Sequence, residues 1–230
     1  IQRNTYAMLD DLKKNMSGEI VLGLTHEHGI DIFTSIFPQF NRRYPGISFT
    51  LIERIVAEQH QLLLDGNLDF GIVMLQESEK INLRYINLYR EQLILGIPQN
   101  HPMASFAAPP DAPLACLDLG LFKNDKFSLI FSASTMRRVL DPCFDEAGFR
   151  PSIVIETAMN HALVQMVASG FCCTIMPESR ARISPYYSRC AWFTLTSHPH
   201  WDVSIACRKD TQLSEAHKYF IRLAQKYGQK

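Results

Sequence analysis

The segment Ala158–Pro177, AMNHALVQMVASGFCCTIMP, decides the fold. Ala162, Leu163, Met166 and Val167 fall on one face of a helix, Gly170 offers a left-handed stop, and Phe171–Met176 is an apolar run of strand length. A helix that turns this abruptly into a buried strand belongs to a doubly wound α/β domain. Such domains bind ligands beyond the carboxyl ends of their strands, so the polar opening of this helix, Thr157–His161, is expected to face a cleft.

Similar alternation extends outward on both sides. Upstream, Ser128–Ser132 reads as a strand, Met136–Ala147 as a helix closed by Gly148, and Ile153–Glu156 as a strand. Nearer the start come a strand Glu19–Thr25, an amphipathic helix Gly29–Arg43 closed by Tyr44-Pro45-Gly46, and a strand Ile47–Arg54. A helix Val56–Leu64, a turn Asp65-Gly66-Asn67 and a strand Asp69–Leu75 complete a βαβαβ unit. Crossovers of this length force parallel strands, with helices on both sheet faces. Leu83–Pro98 is a long β run ending in the turn Gln99–Met103, and Pro109, Pro110 and Pro113 exclude regular structure after it. Downstream lie a strand Asp202–Cys207 and a helix Ser214–Tyr227 with Ser214 as N-cap. Two α/β lobes follow, and if the final helix returns to the first lobe the chain crosses between them twice.

Composition narrows the function classes. The 230 residues are 47% hydrophobic and 20% charged, with 23 basic and 23 acidic side chains. A neutral chain of this size can bury a full core but carries no global field for a polyanion or an anionic membrane, so it should bind DNA poorly by itself. No apolar run approaches the roughly 20 residues of a membrane span, and the first residues lack a signal-peptide core, so no membrane partner and a cytoplasmic location are expected. The six cysteines show no CxxC spacing and mostly lie in apolar stretches, which points to reduced, buried thiols. Met8, Leu9, Leu12 and Met16 form a short apolar stripe ended by Ser17-Gly18, read as the tail of a helix that something precedes or as a terminal helix packed on its own domain.

The succession of turns resembles the effector-binding domain of LysR-type transcriptional regulators over nearly the whole chain. The matching pieces are Gly18–Gly23 (GEIVLG), Phe37–Pro45 (FPQFNRRYP), Leu63–Ile72 (LLDGNLDFGI), Leu95–Pro102 (LGIPQNHP), Phe144–Pro151 (FDEAGFRP) and Val167–Pro177 (VASGFCCTIMP). Cys172-Cys173-Thr174 stands where the family usually has a glycine-rich ending. The resemblance implies an α/β, two-lobed fold like type 2 periplasmic binding proteins, each lobe a mainly parallel sheet flanked by helices. It implies a linker-helix tail at 1–16, one subdomain from 17–95 with 202–230, and a second at 96–201. It further implies a small-molecule effector held between the lobes, a winged helix-turn-helix domain before Ile1 as the only part that meets DNA, a homodimer of this domain and a tetramer of the full-length protein.

Helix N-termini at the strand ends point unsatisfied N–H groups and partial positive charge outward, which locates candidate effector residues. The first turn is Thr25-His26-Glu27-His28; the second is Thr157-Ala158-Met159-Asn160-His161, with Asn160 and His161 as the candidates; and Ser132-Ala133-Ser134-Thr135, with Ser132, Ser134 and Thr135, is a third with a hydroxyl cap. Gln165 matches a polar position one turn into the later helix of the resembling family. Three donor-rich turns suit a small anion or zwitterion, most simply a carboxylate or amino-acid-like molecule. Thr25, Ser134 and Asn160 read equally well as ordinary helix caps. Adjacent spacing of His26, Glu27 and His28 suits neither a helical metal pair nor a zinc knuckle, so no metal and no cofactor are expected, and one histidine should hydrogen-bond the effector and titrate near neutral pH. GxSxG, P-loop, GxGxxG and HExxH motifs are absent, so catalysis is not expected. The alternative reading is a solute-binding protein of a transport system, which would need export and would tolerate six unpaired cysteines badly.

Overall fold

The computed structural model describes residues 17–109 and 111–228. The expected helix tail at 1–16 and Pro110 lie outside them. The chain divides into two compact units: one runs to Tyr89 and resumes at Asp202, the other is Arg90–Trp201.

In the first unit the strands β1 (Ser17–Leu24), β2 (Gly46–Glu53) and β3 (Phe70–Leu75) alternate with the helices α1 (His28–Arg43) and α2 (Val56–Leu64). β1 pairs in parallel with both β2 and β3, as crossovers of this length require. Alternation along the strands then sorts the core onto two faces. Val21 and Val73 pack with Val56 and Leu63 of α2. On the opposite face Phe70 and Phe49 meet Phe33 and Phe40 of α1 and Phe220 of the last helix, α6 (Glu215–Tyr227), in a web of ring contacts 5.1 to 6.5 Å between centroids. Such pairs add about 0.5–1.5 kcal/mol each beyond the apolar area they bury. The last strand, β10 (His200–Cys207), joins this sheet antiparallel to β3, Asp202 opposite Leu75.

A long strand, β4 (Arg84–Pro98), carries the chain into the second unit. There it pairs antiparallel with β8 (Thr174–Pro177) and β9 (Cys190–Leu195), and β9 pairs in parallel with the short β5 (Cys116–Leu117). A parallel pair, β6 (Lys126–Ile130) and β7 (Ser152–Thr157), is linked by α3 (Thr135–Glu146), and α4 (Asn160–Ala168) follows β7. The unit thus mixes parallel and antiparallel pairs. α5 (Glu178–Arg182) and β9 occupy a stretch to which the sequence reading assigns no element, because neither a five-residue helix nor an apolar run without alternation carries a period.

The segment that opened the sequence reading folds as helix, glycine stop and strand, with two corrections. The buried stripe of α4 is Asn160, Leu163, Val164 and Val167, one residue round from the expected one, and Ala162 and Met166 are only half-buried. Gly170, at φ 80°, closes the helix: its N–H reaches the Val167 carbonyl at 2.9 Å and the Phe171 N–H reaches that of Met166 at 3.4 Å. The strand begins at Thr174 rather than Phe171, whose exposed ring lies under the Lys126 ammonium at 5.4 Å. Similarly, β6 begins and ends two residues earlier than expected, because Phe131–Ser134 turns into the cap of α3.

Candidate functional site

In the first unit β1 ends at Leu24 and the predicted turn Thr25-His26-Glu27-His28 leads into α1. Thr25 does not cap the helix; its hydroxyl donates to the Met74 sulfur at 3.2 Å. The residue before the helix is Glu27, at φ 58° and ψ −66°, and the His28 N–H donates to the His26 carbonyl at 2.7 Å. That is a γ-turn at positive φ, a strained conformation for a residue with a Cβ. His26 is exposed, its Nδ1 2.9 Å from Glu53 Oε2 at the end of β2. His28 is buried, and its Nε2 lies 3.0 Å from the Tyr89 hydroxyl on β4. Of the two histidines, only His26 is presented to solvent.

In the second unit the ends of β6 and β7 come together, the Phe131 N–H donating to the Thr157 carbonyl at 3.1 Å. This brings Ser132, Ser134 and Thr135 to the same edge as the opening of α4. Ser134 is the N-cap of α3, accepting the Arg137 N–H at 3.2 Å, so its cap reading holds. Ser132 is exposed; Thr135 is buried and its hydroxyl accepts from Arg138 Nη2 at 3.1 Å. Asn160 is the first helical residue rather than a cap, and it is buried on the core side of α4. His161 and Gln165, one turn apart, are exposed on the other side, and the His161 ring sits 5.6 Å from that of Tyr186.

Sequence reasoning missed Arg138, whose guanidinium reaches both the Ala133 carbonyl at 3.2 Å and Thr135, placing a cation over the N-terminus of α3. A basic residue in a helix's first turn opposes the helix dipole, and that misplacement was the available signal. Next to it Arg137 is buried and donates to Asp141 at 2.8 Å, Glu156 at 2.6 Å and the Ile130 carbonyl at 3.3 Å. Burial alone would lower its pKa, but the two carboxylates more than offset this and raise it. Arg137 therefore fastens α3 to the end of β7 as a permanent cation. A cavity of about 370 Å³ lies further along α3, lined by Arg137, Asp141, Phe144, Arg150 and Ile153 among others, and shares no residue with the predicted turns.

The six cysteines are free thiols; four are buried, Cys143 is half-buried and Cys116 is exposed. Burial pushes the Cys190 thiol up to about 12 and Cys173 also upward, which suppresses thiolate chemistry there. Among the described residues no group of three or more His, Cys, Asp or Glu is placed to hold a metal ion, and no helix is long and apolar enough to cross a membrane.

The comparisons with known proteins agree with this architecture. The model of the LysR substrate binding domain matches residues 13–229. The transcriptional regulator YwbI of Bacillus subtilis is 26% identical over 221 residues, covering 95% of this chain and 70% of its own. BudR of Raoultella terrigena is 24% identical, covering 92% of this chain and 67% of its own, and XapR of Escherichia coli is 21% identical, covering 79% and 59%. Solved structures share the fold: the effector-binding domain of QuiR in complex with shikimate (TM-score 0.73, 20% identity, 93% of this chain and 98% of that one) and the CcmR regulatory domain of Synechocystis PCC6803 with 2-PG (TM-score 0.77, 17% identity, 93% and 99%). With the family model spanning nearly all of its residues, the chain belongs to the LysR substrate-binding domain family.

Proposed function

We propose that this chain is the sensing domain of a DNA-binding transcriptional regulator, and that it binds a small carboxylate or amino-acid-like effector through Thr25–His28 in one unit and Ser132–Thr135, Asn160, His161 and Gln165 in the other. The observation that carries the reading is that parallel strands in both units end in polar turns that open helices: β1 into α1, β6 into α3 and β7 into α4. Such turns favour anions through their N–H groups and helix dipoles, and Arg138 adds a cation beside one of them. Relatives named as HTH-type transcriptional regulators support the regulatory role, and neighbours named with shikimate and 2-PG support a small-molecule ligand. A DNA-binding domain outside this chain would supply the operator contacts. Effector binding shifts the regulator's states only by its differential affinity for them, typically about 1–3 kcal/mol.

Thermal-shift screening with shikimate, 2-PG and a panel of carboxylates and amino acids, followed by calorimetric titration, tests the reading. Thr25→Leu and Gln165→Leu are each expected to weaken the best ligand at least tenfold while the circular dichroism spectrum stays unchanged. Unchanged affinity in a folded Thr25→Leu chain would remove the first turn from the site, and turnover of the ligand would replace the sensor by an enzyme.

A further inference from the structure

The strained turn at Glu27 and the passage of β4 between the units meet at one hydrogen bond. His28 follows the γ-turn directly and its Nε2 lies 3.0 Å from the Tyr89 hydroxyl. Tyr89 is the last residue of the first unit before the chain passes into the second. Its ring sits 6.4 Å from that of Tyr227 and lies against Gly228, where a Cβ would overlap it, so the side chain is fixed within the first unit from the α6 side as well.

Two residues on, the same strand is fastened in the second unit. Glu91 is buried, accepting the indole N–H of Trp201 at 2.9 Å and the Ser179 N–H at 3.3 Å. Residues i and i+2 of a strand share a face and stand roughly 6.6 Å apart. One face of β4 therefore carries consecutive anchors, Tyr89 holding the first unit and Glu91 the second, with Trp201 marking the point where the chain leaves the second unit again.

We infer that Tyr89 is a positioning residue that couples the Thr25–His28 turn to β4. A non-glycine residue persists in a strained conformation only when its surroundings over-determine it, and strain of this kind collects at sites that switch. Here the His28–Tyr89 bond on one side of Glu27 and the His26–Glu53 contact on the other hold the turn. A change in the turn thus moves Tyr89, and with it the strand that enters the second unit. This rests on reading that turn as effector-binding; the coupling itself requires no ligand, and its test uses none.

The test is hydrogen–deuterium exchange on the ligand-free chain. Tyr89→Phe keeps the ring against Tyr227 and Gly228 and removes only the hydroxyl. It should speed exchange of the amides of residues 26–31 at least tenfold, with residues 90–201 within twofold of the parent. His28→Asn, too short to reach Tyr89, should reproduce that pattern. The double variant should be no faster than either single, because both remove one interaction. In the reverse direction, Glu27→Gly, which relaxes the turn, should change exchange at residues 88–91 at least threefold. Unchanged exchange at 26–31 in Tyr89→Phe, acceleration spread evenly over the first unit, additive single effects, or a silent β4 in Glu27→Gly would each overturn the coupling. Failure of the effector reading shows separately, in the titrations with shikimate and 2-PG.

Discussion

His217 occupies the third position of α6, where its Nδ1 accepts the Ser214 N–H at 3.2 Å while the Ser214 hydroxyl accepts the His217 N–H at 3.3 Å. Its ring stands edge-on to Phe70, 5.0 Å away. Burial lowers the pKa of His217, and the nearby Asp69 charge only partly opposes this. The folded state therefore resists a proton that the unfolded chain accepts. The sign follows: stability is unaffected above the unfolded histidine range near 6.5 and is lost as pH falls below it, down to the depressed folded pKa. Glutamine at this position can keep the reciprocal cap without titrating. Melting between pH 7.5 and 5 should show a smaller acid-side loss for His217→Gln than for the parent, and equal slopes would remove His217 from the pH dependence. At this scale the sequence showed which polar residues crowd the strand ends, because residue type and turn position are local. It did not show that His28 and Asn160 face inward or that Arg138 reaches Thr135, since those depend on side-chain direction and on partners far along the chain.

Among the elements, α2 fits its sheet through glycine. Gln59 is fully buried; its amide N–H donates to the Arg54 carbonyl at 2.9 Å, and its Oε1 lies over Gly23 of β1 and Gly71 of β3 without a hydrogen-bond partner among the described residues. A Cβ at Gly71 would stand 2.7 Å from that oxygen, and one at Gly23 2.8 Å. Gly71→Ala should destabilise the chain by about 1–3 kcal/mol in urea unfolding, as overpacking does, and Gln59→Ala in the same chain should recover part of that loss. Additive losses in the double variant would show that the backbone, rather than Gln59, sets the requirement. The elements themselves were largely legible. Val56–Leu64 folds over its predicted residues, since a periodic apolar stripe between an extended segment and an Asp-Gly-Asn turn admits few alternatives. The misplaced boundaries at Phe171 and Ser132 arose where apolar or polar character continued past the last ladder hydrogen bond, which composition does not reveal. β9 needed knowledge of its partner, β4, and so was not assigned at all.

For the whole molecule we propose a homodimer of this domain. The apolar residues of α1 are covered within the first unit: Ile32, Phe33, Ile36 and Phe40 are buried and Phe37 is half-buried. Pairing must therefore use other surface, of which Leu51 on β2 and Leu64 at the end of α2 are exposed apolar parts. Sedimentation at micromolar concentration should give twice the 26.3 kDa chain mass, and a single monomer boundary would overturn the pairing.

The division of the chain also sets an order of events during its synthesis. β1 to β3 and α1 are made before the second unit, yet the strand beside β3 and the helix that lies over Phe40, Phe49 and Phe70 are made after it. The second unit, by contrast, is the uninterrupted stretch Arg90–Trp201. The second unit can thus mature while the aromatic face of the first is covered by α1 alone and still lacks Phe220 of α6. In that interval the nascent chain is most exposed to aggregation and in most need of a chaperone, and a message truncated before α6 would leave it there permanently.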